Sequence, residues 1–178
     1  MSFISRNHPQ QVATRGPLDE VDDRGTPPEL FAELSERFGP FTIDVAAAPH
    51  NAKCDNYITR AMDPYMHSPW YPTPNGNRPT AIAWCNPPYS DLRAWVKKAW
   101  DQWDSGQMKR IVMLVPANRT EQAWWQDWVE PYRDKQNGPL RTEFFRGRTR
   151  FIKPGQTEIK ANERPPFGCA LLIWDLLS

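Results

Sequence analysis

The stretch with the clearest chemical content runs from Trp84 to Tyr89, where an apolar segment ends in Asn86-Pro87-Pro88-Tyr89. An apolar run that stops at turn residues predicts a buried strand delivering Asn86 to the end of a sheet. Pro87 restricts Asn86 to extended backbone and Pro88 fixes a second backbone angle, so the turn is stiff before any ligand binds. Neither proline has an N–H, so the carbonyls of Asn86 and Pro87 lack nearby competing donors.

These groups suit methyl transfer to a planar exocyclic amine such as that of adenine. The amine is a poor nucleophile because its lone pair is delocalised into the ring. The Asn86 side-chain oxygen and the Pro87 carbonyl would each accept one of its N–H bonds, while Tyr89 stacks on the base. The methyl donor then needs only in-line placement, with no covalent enzyme intermediate. The plain alternative is a Pro-rich loop with a packed tyrosine.

Hydrophobic periodicity predicts the elements around this turn. A helix is expected from about Asp91 to Trp103, and the apolar run 111–115 is typical of a buried parallel strand. A Trp-rich helix is expected from Glu121 to about Tyr132, where Trp124, Trp125 and Trp128 favour packing over base stacking. Three more strands are predicted at 141–145, 149–152 and 169–174, the first two enclosing Arg146-Gly147-Arg148.

Upstream, Thr26-Pro27-Pro28-Glu29 predicts a helix start, with Thr26 as N-cap, Pro27 at the first position and Glu29 completing a capping box. A strand over 41–45 follows and carries Asp44 near its end. Open α/β sheets bind ligands at the carboxyl ends of their strands, so Asp44 is a candidate binding residue.

The 178 residues predict a mobile N-terminal arm over residues 1–25 and a single domain over 26–178. Alternating strands and helices indicate an α/β sheet with helices on both faces. Residues 50–79 are irregular and Pro-rich, which is typical of a functional or disordered loop.

Composition excludes several classes of protein. The net charge of +1 gives no overall electrostatic attraction to nucleic acid. The sequence has no apolar run long enough to span a membrane and no signal-peptide pattern, so a soluble cytoplasmic protein is expected. The three cysteines and three histidines are scattered, so neither a metal site nor a disulfide framework is predicted. Cys85 precedes Asn86 on a strand and should point to the opposite face, into the core.

Residues 141–164 are locally basic, with seven Lys or Arg against three Glu. Arg146 and Arg148 flank Gly147 at a tight turn that could grip phosphates, or form a basic surface hairpin without a partner. Arg119 follows the strand after the central one, so it should face the same cleft and either bind a phosphate or cap a helix terminus.

Taken in order, these motifs resemble the phage-type, Dam-like family of DNA adenine-N6 methyltransferases. The resemblance runs from about Thr26 to Trp174. Its motifs are Thr26-Pro27-Pro28, Phe41 to Ala47, Asn51-Ala52-Lys53-Cys54, Asn86 to Tyr89, Val115 to Thr120 with Trp124-Trp125, Arg146-Gly147-Arg148 with Phe151, and Pro165 to Gly168.

The resemblance implies a Rossmann-like, S-adenosylmethionine-dependent methyltransferase sheet acting on adenine in DNA. It makes Asn86, Pro87, Pro88 and Tyr89 catalytic. The residues implied for the methyl donor are Thr26, Pro27, Asp44, Ala46 and Ala47.

Two departures from the pattern predict a trimmed cofactor half. Alanines replace the usual glycine-rich loop, and the interval from Asp44 to Asn86 is short for the superfamily's full set of strands and helices. Asp55 and Asp63, in the long loop, are candidates for binding the donor's ribose hydroxyls.

Two alternatives stay open at this point. The same chemistry could act on RNA adenine or on a protein glutamine amide, or the chain could be a DNA-binding module without catalysis. A phage origin, implied by the resemblance, would place the protein in a host bacterial cytoplasm and suggest a role in evading restriction.

Overall fold

The computed structural model of the chain describes residues 25–63, 69–71, 80–153, 156 and 167–175. Most of the predicted arm, residues 1–24, lies outside the described residues. In chain order the elements are α1 (Pro28–Phe38), β1 (Ile43–Ala47), β2 (Tyr57–Thr59), a 3-10 turn (Arg60–Met62), β3 (Ile82–Cys85), α2 (Leu92–Asp104), β4 (Arg110–Pro116), α3 (Ala123–Trp128), β5 (Leu140–Phe144) and β6 (Cys169–Trp174).

The six strands form one sheet in the order β2-β1-β3-β4-β6-β5. Strands β1 to β4 are parallel, whereas β6 is antiparallel to both β4 and β5. The carboxyl ends of β1, β3, β4 and β5 therefore meet at one side of the sheet, which we call the carboxyl edge, opposite the amino edge. The chain passes from β1 outward to β2 and then back to β3, so the order reverses between β1 and β3, where open α/β sheets bind ligands.

The sheet is covered on both faces, as the α/β pattern predicts. Leu34 and Phe38 of α1 pack with Trp84 and its neighbours on one face, while α2 and α3 pack on the other. Side chains alternate along β3, so Trp84 faces α1 whereas Cys85 faces α2 and is fully buried. The prediction that Cys85 is a core residue is confirmed, as is the burial of Trp124 and Trp125.

The half of the sheet around β1 and β2 is reduced. Among the described residues, no α-helix lies between β1 and β3, and β1 reaches its parallel neighbour β2 through residues 48–56 alone. The trimmed cofactor half stays a prediction, because residues 64–68 and 72–79, between β2 and β3, lie outside the described residues. The three-residue strand β2 fell inside the segment predicted to be irregular, because Tyr57-Ile58-Thr59 is too short to show a period.

The predicted N-cap is wrong. Helix α1 begins at Pro28, its N-cap position is Pro27, and no side chain caps it. Gly25 instead pairs with Ile152 through two backbone hydrogen bonds of 2.9 Å, and Thr26 turns into the protein. Because Pro28 follows it, Pro27 takes extended backbone with a ψ of 140°, so Pro27 cannot be the first helical residue and takes the N-cap position itself.

The predicted hairpin around Arg146-Gly147-Arg148 is also wrong. Strand β5 pairs with β6, and in place of a strand over 149–152 only Ile152 forms an isolated bridge, with Gly25. Strand β6 is buried on both faces and therefore takes an interior position in the sheet. Helix α3 is shorter than predicted, ending at Trp128, because the Trp125 carbonyl accepts bonds from Val129 and Glu130.

Candidate active site

The turn after β3 brings Asn86 to the carboxyl edge, as predicted. Asn86 is half-buried and Pro87 is buried. The Pro88 carbonyl accepts a bond from the Asp91 N–H at 3.4 Å, and the Tyr89 carbonyl accepts one from Arg119 at 2.8 Å. Within the described part of the chain, no donor bonds to the Pro87 carbonyl. The turn is thus held by its last two carbonyls while the Pro87 carbonyl keeps its acceptor capacity.

The Tyr89 ring contacts two other aromatic rings. Its centroid lies 6.2 Å from that of Phe151, in an edge contact, and 6.0 Å from that of Phe167. The side chain is partly exposed, but its hydroxyl is buried beside the Cys169 thiol. Burial raises the pKa of Tyr89 well above its usual 10, so the phenol is neutral. A neutral ring held in this way offers a stacking surface with little freedom to lose.

Asp44 lies on β1, beside β3, and is 3% exposed. Its carboxylate accepts the Lys53 N–H at 3.0 Å and the Ala46 N–H at 3.3 Å. Burial raises the pKa of Asp44 to about 6, which those two backbone bonds and the Lys53 charge partly oppose. Burial also lowers the pKa of Lys53, with Asp44 and Glu29 acting against that shift.

The sheet register brings the donor and catalytic candidates together. Asp44 pairs with Trp84, two residues before Asn86, on the adjacent parallel strand. Ala46 and Ala47 complete β1 and therefore end at the same side as Asn86. Asp44, Ala46, Ala47 and Asn86 thus flank the point where the strand order reverses.

Thr26 has an unusual environment for a threonine. It is 2% exposed, and its buried hydroxyl has no hydrogen-bond partner among the described residues. A buried polar group without a partner is uncommon in a folded protein and often marks a place that a ligand satisfies. The adjacent pairing of Gly25 with Ile152 ties Thr26 and Pro27 to Phe151, which contacts Tyr89.

The two carboxylates suggested for the ribose are not brought together. Asp55 is exposed and precedes Tyr57, which pairs with Asp44, so Asp55 lies toward the amino edge. Asp63 is exposed and follows the 3-10 turn with a φ of 48°. Asp55 borders a cavity of about 300 Å³ that is also lined by Ile43, Asn56, Tyr57, Ile58, Met62, Trp70 and Tyr71.

The basic loop reaches the carboxyl edge even though it is not a hairpin. Arg146 and Arg148 are exposed, and Gly147 between them has a φ of 86°, a conformation that glycine adopts without strain. The loop follows β5, whose carboxyl end lies at the same side as Asn86. A Cβ at Gly168 would lie 3.5 Å from the Gly147 carbonyl, so the loop packs closely on the segment that carries Phe167.

Sequence reasoning assigned no role to the rings that hold Tyr89. Phe151 and Phe167 lie more than sixty residues along the chain from it, and their only signal was membership of the ordered motifs. The bond from the Lys53 N–H to the Asp44 carboxylate was also not predicted, and the sequence signal for it was the place of Lys53 in the motif Asn51-Ala52-Lys53-Cys54.

Comparison with known proteins gives two findings. The family described as DNA N-6-adenine-methyltransferase (Dam) matches residues 14–177 of the chain. A protein of Escherichia phage T1 named DNA N-6-adenine-methyltransferase is 32% identical over 100 residues, covering 56% of this chain and 37% of the phage protein. The chain therefore spans well under two thirds of that relative's length.

No helix in the described ranges has the length and apolar character needed to span a bilayer. The family match covers the reversal point, the Asn86 to Tyr89 turn and the basic loop in one continuous stretch. The chain belongs to the DNA N-6-adenine-methyltransferase (Dam) family.

Proposed function

We propose that this chain transfers a methyl group from S-adenosylmethionine to the exocyclic N6 amine of adenine in DNA. The observation that carries the proposal is the Asn86 to Tyr89 turn at the carboxyl edge, where Pro87 keeps a carbonyl without a partner among the described residues. The family match and the name of the phage T1 relative support the same acceptor.

The proposed roles follow from the placement of the turn. The Asn86 side-chain oxygen and the Pro87 carbonyl accept the two amine hydrogens and direct the nitrogen lone pair out of the ring plane. The Tyr89 ring, braced by Phe151 and Phe167, stacks on an adenine that has left the duplex. The turn does not have to reorganise during the reaction, since its prolines hold it in place beforehand.

The donor site lies on the β1 side of the turn. The bound donor supplies an electrophilic methyl group. The Thr26 hydroxyl, buried and without a partner among the described residues, gains one by hydrogen bonding to the donor. The Asp44 carboxylate would hold the positively charged donor by charge, and the small side chains of Ala46 and Ala47 would leave room for it beside the backbone. Of the two carboxylates suggested for the ribose hydroxyls, Asp63 stays the candidate, because Asp55 lies toward the amino edge, away from Asn86.

The DNA strand is held by phosphate contacts from Arg146 and Arg148. Both side chains are exposed at the same side of the sheet as Asn86, and neither makes an ion pair with another described residue. An exposed arginine at a loop suits a phosphate, because its charge and planar donors are available without rearrangement.

The test is transfer of label from methyl-labelled S-adenosylmethionine to duplex DNA, RNA and protein, followed by digestion to nucleosides or amino acids. Asn86→Ala, purified in parallel, controls for contaminating host methyltransferases. We expect label in N6-methyladenine from DNA, reduced at least 1,000-fold in the variant.

Other outcomes separate the remaining candidates. Label in RNA or in a glutamine amide would move the acceptor and contradict the DNA proposal. Donor binding without transfer to any acceptor would contradict the proposed acceptor set. DNA binding with no donor binding would leave a non-catalytic DNA-binding module.

We further propose that the protein works in a bacterial cytoplasm on phage DNA and masks it from host restriction. The support is the phage origin of the T1 relative. Deleting the gene from its phage should reduce plating on restricting hosts but not on non-restricting ones. Equal plating on both would contradict this role.

A further inference from the structure

The Asn86 to Tyr89 turn receives a hydrogen bond from a residue outside its own strand and helix. Arg119, in the loop after β4, donates from Nη1 to the Tyr89 carbonyl at 2.8 Å, and the atoms are partly shielded from solvent. The two residues are thirty positions apart along the chain. The bond therefore joins the loops that follow two neighbouring parallel strands, β3 and β4.

The position of this bond within the turn is significant. Prolines occupy two of the four turn positions, so the turn can supply few N–H donors to its own carbonyls. The bond from the Asp91 N–H to the Pro88 carbonyl is long, at 3.4 Å, which is near the upper limit for a hydrogen bond. The charge-assisted bond from Arg119 is the shorter of the two, and such bonds are roughly twice as strong as neutral ones.

The loop that carries Arg119 is itself held in place. The Ala117 N–H donates to the Gly168 carbonyl at 2.8 Å, and the Gln122 N–H donates to the Arg119 carbonyl at 3.2 Å. Gln126 adds a bond from its side-chain amide to the Thr120 carbonyl at 2.7 Å. The guanidinium is therefore presented from a loop that is fixed to β6 and α3, not from a free side chain on the surface.

We propose that Arg119 is a positioning residue that holds the Asn86 to Tyr89 turn in its reactive geometry, and is not a phosphate contact. The inference rests on the proposed methyl transfer at this turn. Without the bond, the Tyr89 carbonyl rotates, and the Pro87 carbonyl and Tyr89 ring shift relative to the base. A misplacement of about 1 Å at a reacting group lowers a rate by about 100-fold.

The test compares Arg119→Gln with Arg148→Gln, an equal change of charge at an exposed arginine of the basic loop. Two quantities are measured: kcat and KM for methyl transfer to duplex DNA, and the salt dependence of DNA affinity by fluorescence anisotropy. Each lost phosphate contact reduces the slope of log affinity against log salt by about one. Arg119→Lys, which keeps a charged donor, is the conservative variant.

We expect Arg119→Gln to lower kcat by about 10- to 100-fold and to leave KM for DNA and the salt slope unchanged. Arg119→Lys should recover part of kcat. Arg148→Gln should do the reverse, with a higher KM, a reduced slope and an unchanged kcat. A reduced slope and higher KM in Arg119→Gln, or wild-type kinetics in that variant, would overturn the inference.

The measurements of DNA affinity distinguish a failure of this inference from a failure of the proposed function. Salt slopes need no turnover, so a wild-type protein that binds DNA without methylating it would contradict the proposed reaction alone. If Arg119→Gln then lost a phosphate contact by its slope, the positioning inference would fail as well. If Arg119→Gln were poorly folded, the kcat of Arg119→Lys would decide, because lysine keeps the charge that a phosphate needs but not the guanidinium geometry. A kcat below that of wild type at unchanged KM would support the positioning role, and a wild-type kcat would overturn it.

Discussion

The two edges of the sheet differ in whether their charged and polar groups are paired with other groups of the protein. Near the amino edge, Asp175 follows β6 and is 4% exposed. It binds Arg110 at 3.1 Å and Arg141 at 3.0 Å, and Arg110 also donates to the Phe38 carbonyl at the end of α1. Each of these charged groups has a partner, and together they join β4, β5, β6 and α1.

At the carboxyl edge, by contrast, several polar groups have no partner among the described residues. The Thr26 hydroxyl is buried without a hydrogen bond, the Pro87 carbonyl accepts none, and Arg146 and Arg148 are exposed. Leaving a buried group unpaired costs about 1–3 kcal/mol, and a ligand that pairs with the group offsets that cost. The difference indicates which charges hold the fold and which are available for binding.

The largest expected effect is at the amino edge. Asp175→Ala removes the acceptor that Arg110 and Arg141 share. Arg110 keeps the Phe38 carbonyl and Arg141 keeps a 3.5 Å contact with Glu143, but both lose their buried carboxylate, so we expect the free energy of unfolding to fall by about 3 kcal/mol. Urea unfolding measures this change. Methyl transfer per folded molecule should stay within about two-fold of wild type.

Asp101→Ala is the matched control for Asp175→Ala. It breaks an exposed pair with Lys97 on α2, which should contribute less than about 0.5 kcal/mol. Equal losses in the two variants would contradict the idea that the amino-edge pairs carry the stability.

The next effect is a pH dependence at the carboxyl edge. The pKa of Asp44 is about 6 in the folded protein against an ordinary 3.8, so the folded state holds this proton more tightly. Its contribution to stability is full below pH 4 and is lost as the pH rises through 6. The stability of wild type relative to Asp44→Asn should therefore fall by about 2 kcal/mol between pH 4 and pH 7.

Urea unfolding of both proteins across this pH range measures the difference, in which the other titrating groups cancel. A difference that does not change with pH would mean that Asp44 is not held in a desolvated site.

A smaller expected effect on kcat/KM distinguishes the role of the Tyr89 ring from that of the Tyr89 hydroxyl. The hydroxyl is buried beside a thiol, which is a weak partner, so Tyr89→Phe should change kcat/KM less than three-fold. Tyr89→Leu removes the ring that we propose to stack on the base and should lower kcat/KM by about 10- to 100-fold, in line with about 1–3 kcal/mol per stacked base. Steady-state methyl transfer with both variants measures the contrast. A larger loss in Tyr89→Phe would assign the hydroxyl a part in the reaction.

The sequence predicts features that depend on neighbouring residues. The apolar run before Asn86 predicts that Asn86 follows a strand, as observed, and the apolar stretch over β6 predicts a buried strand. The prediction that Asp44 lies near the end of its strand is wrong, because β1 runs from Ile43 to Ala47 and Asp44 is its second residue. Features that depend on distant partners were missed. Thr26 was taken for an N-cap because nothing local shows that Gly25 pairs with Ile152.

The bond from Arg119 to the Tyr89 carbonyl was missed for the same reason. The sequence placed Arg119 in the cleft but left its partner open between a phosphate and a helix terminus. A backbone carbonyl leaves no mark in a sequence, so only the assembled sheet shows which one a side chain reaches.

Thr26→Val tests most directly the central claim that the carboxyl edge keeps polar groups for ligands. Valine has the shape of threonine without the hydroxyl, so it removes a buried polar atom that has no partner among the described residues. Urea unfolding and calorimetry with S-adenosylmethionine are made on the same preparation. We expect the ligand-free variant to be as stable as wild type or about 1 kcal/mol more stable, with donor affinity about ten-fold weaker. A less stable variant with unchanged donor affinity would contradict the claim and make Thr26 part of the fold.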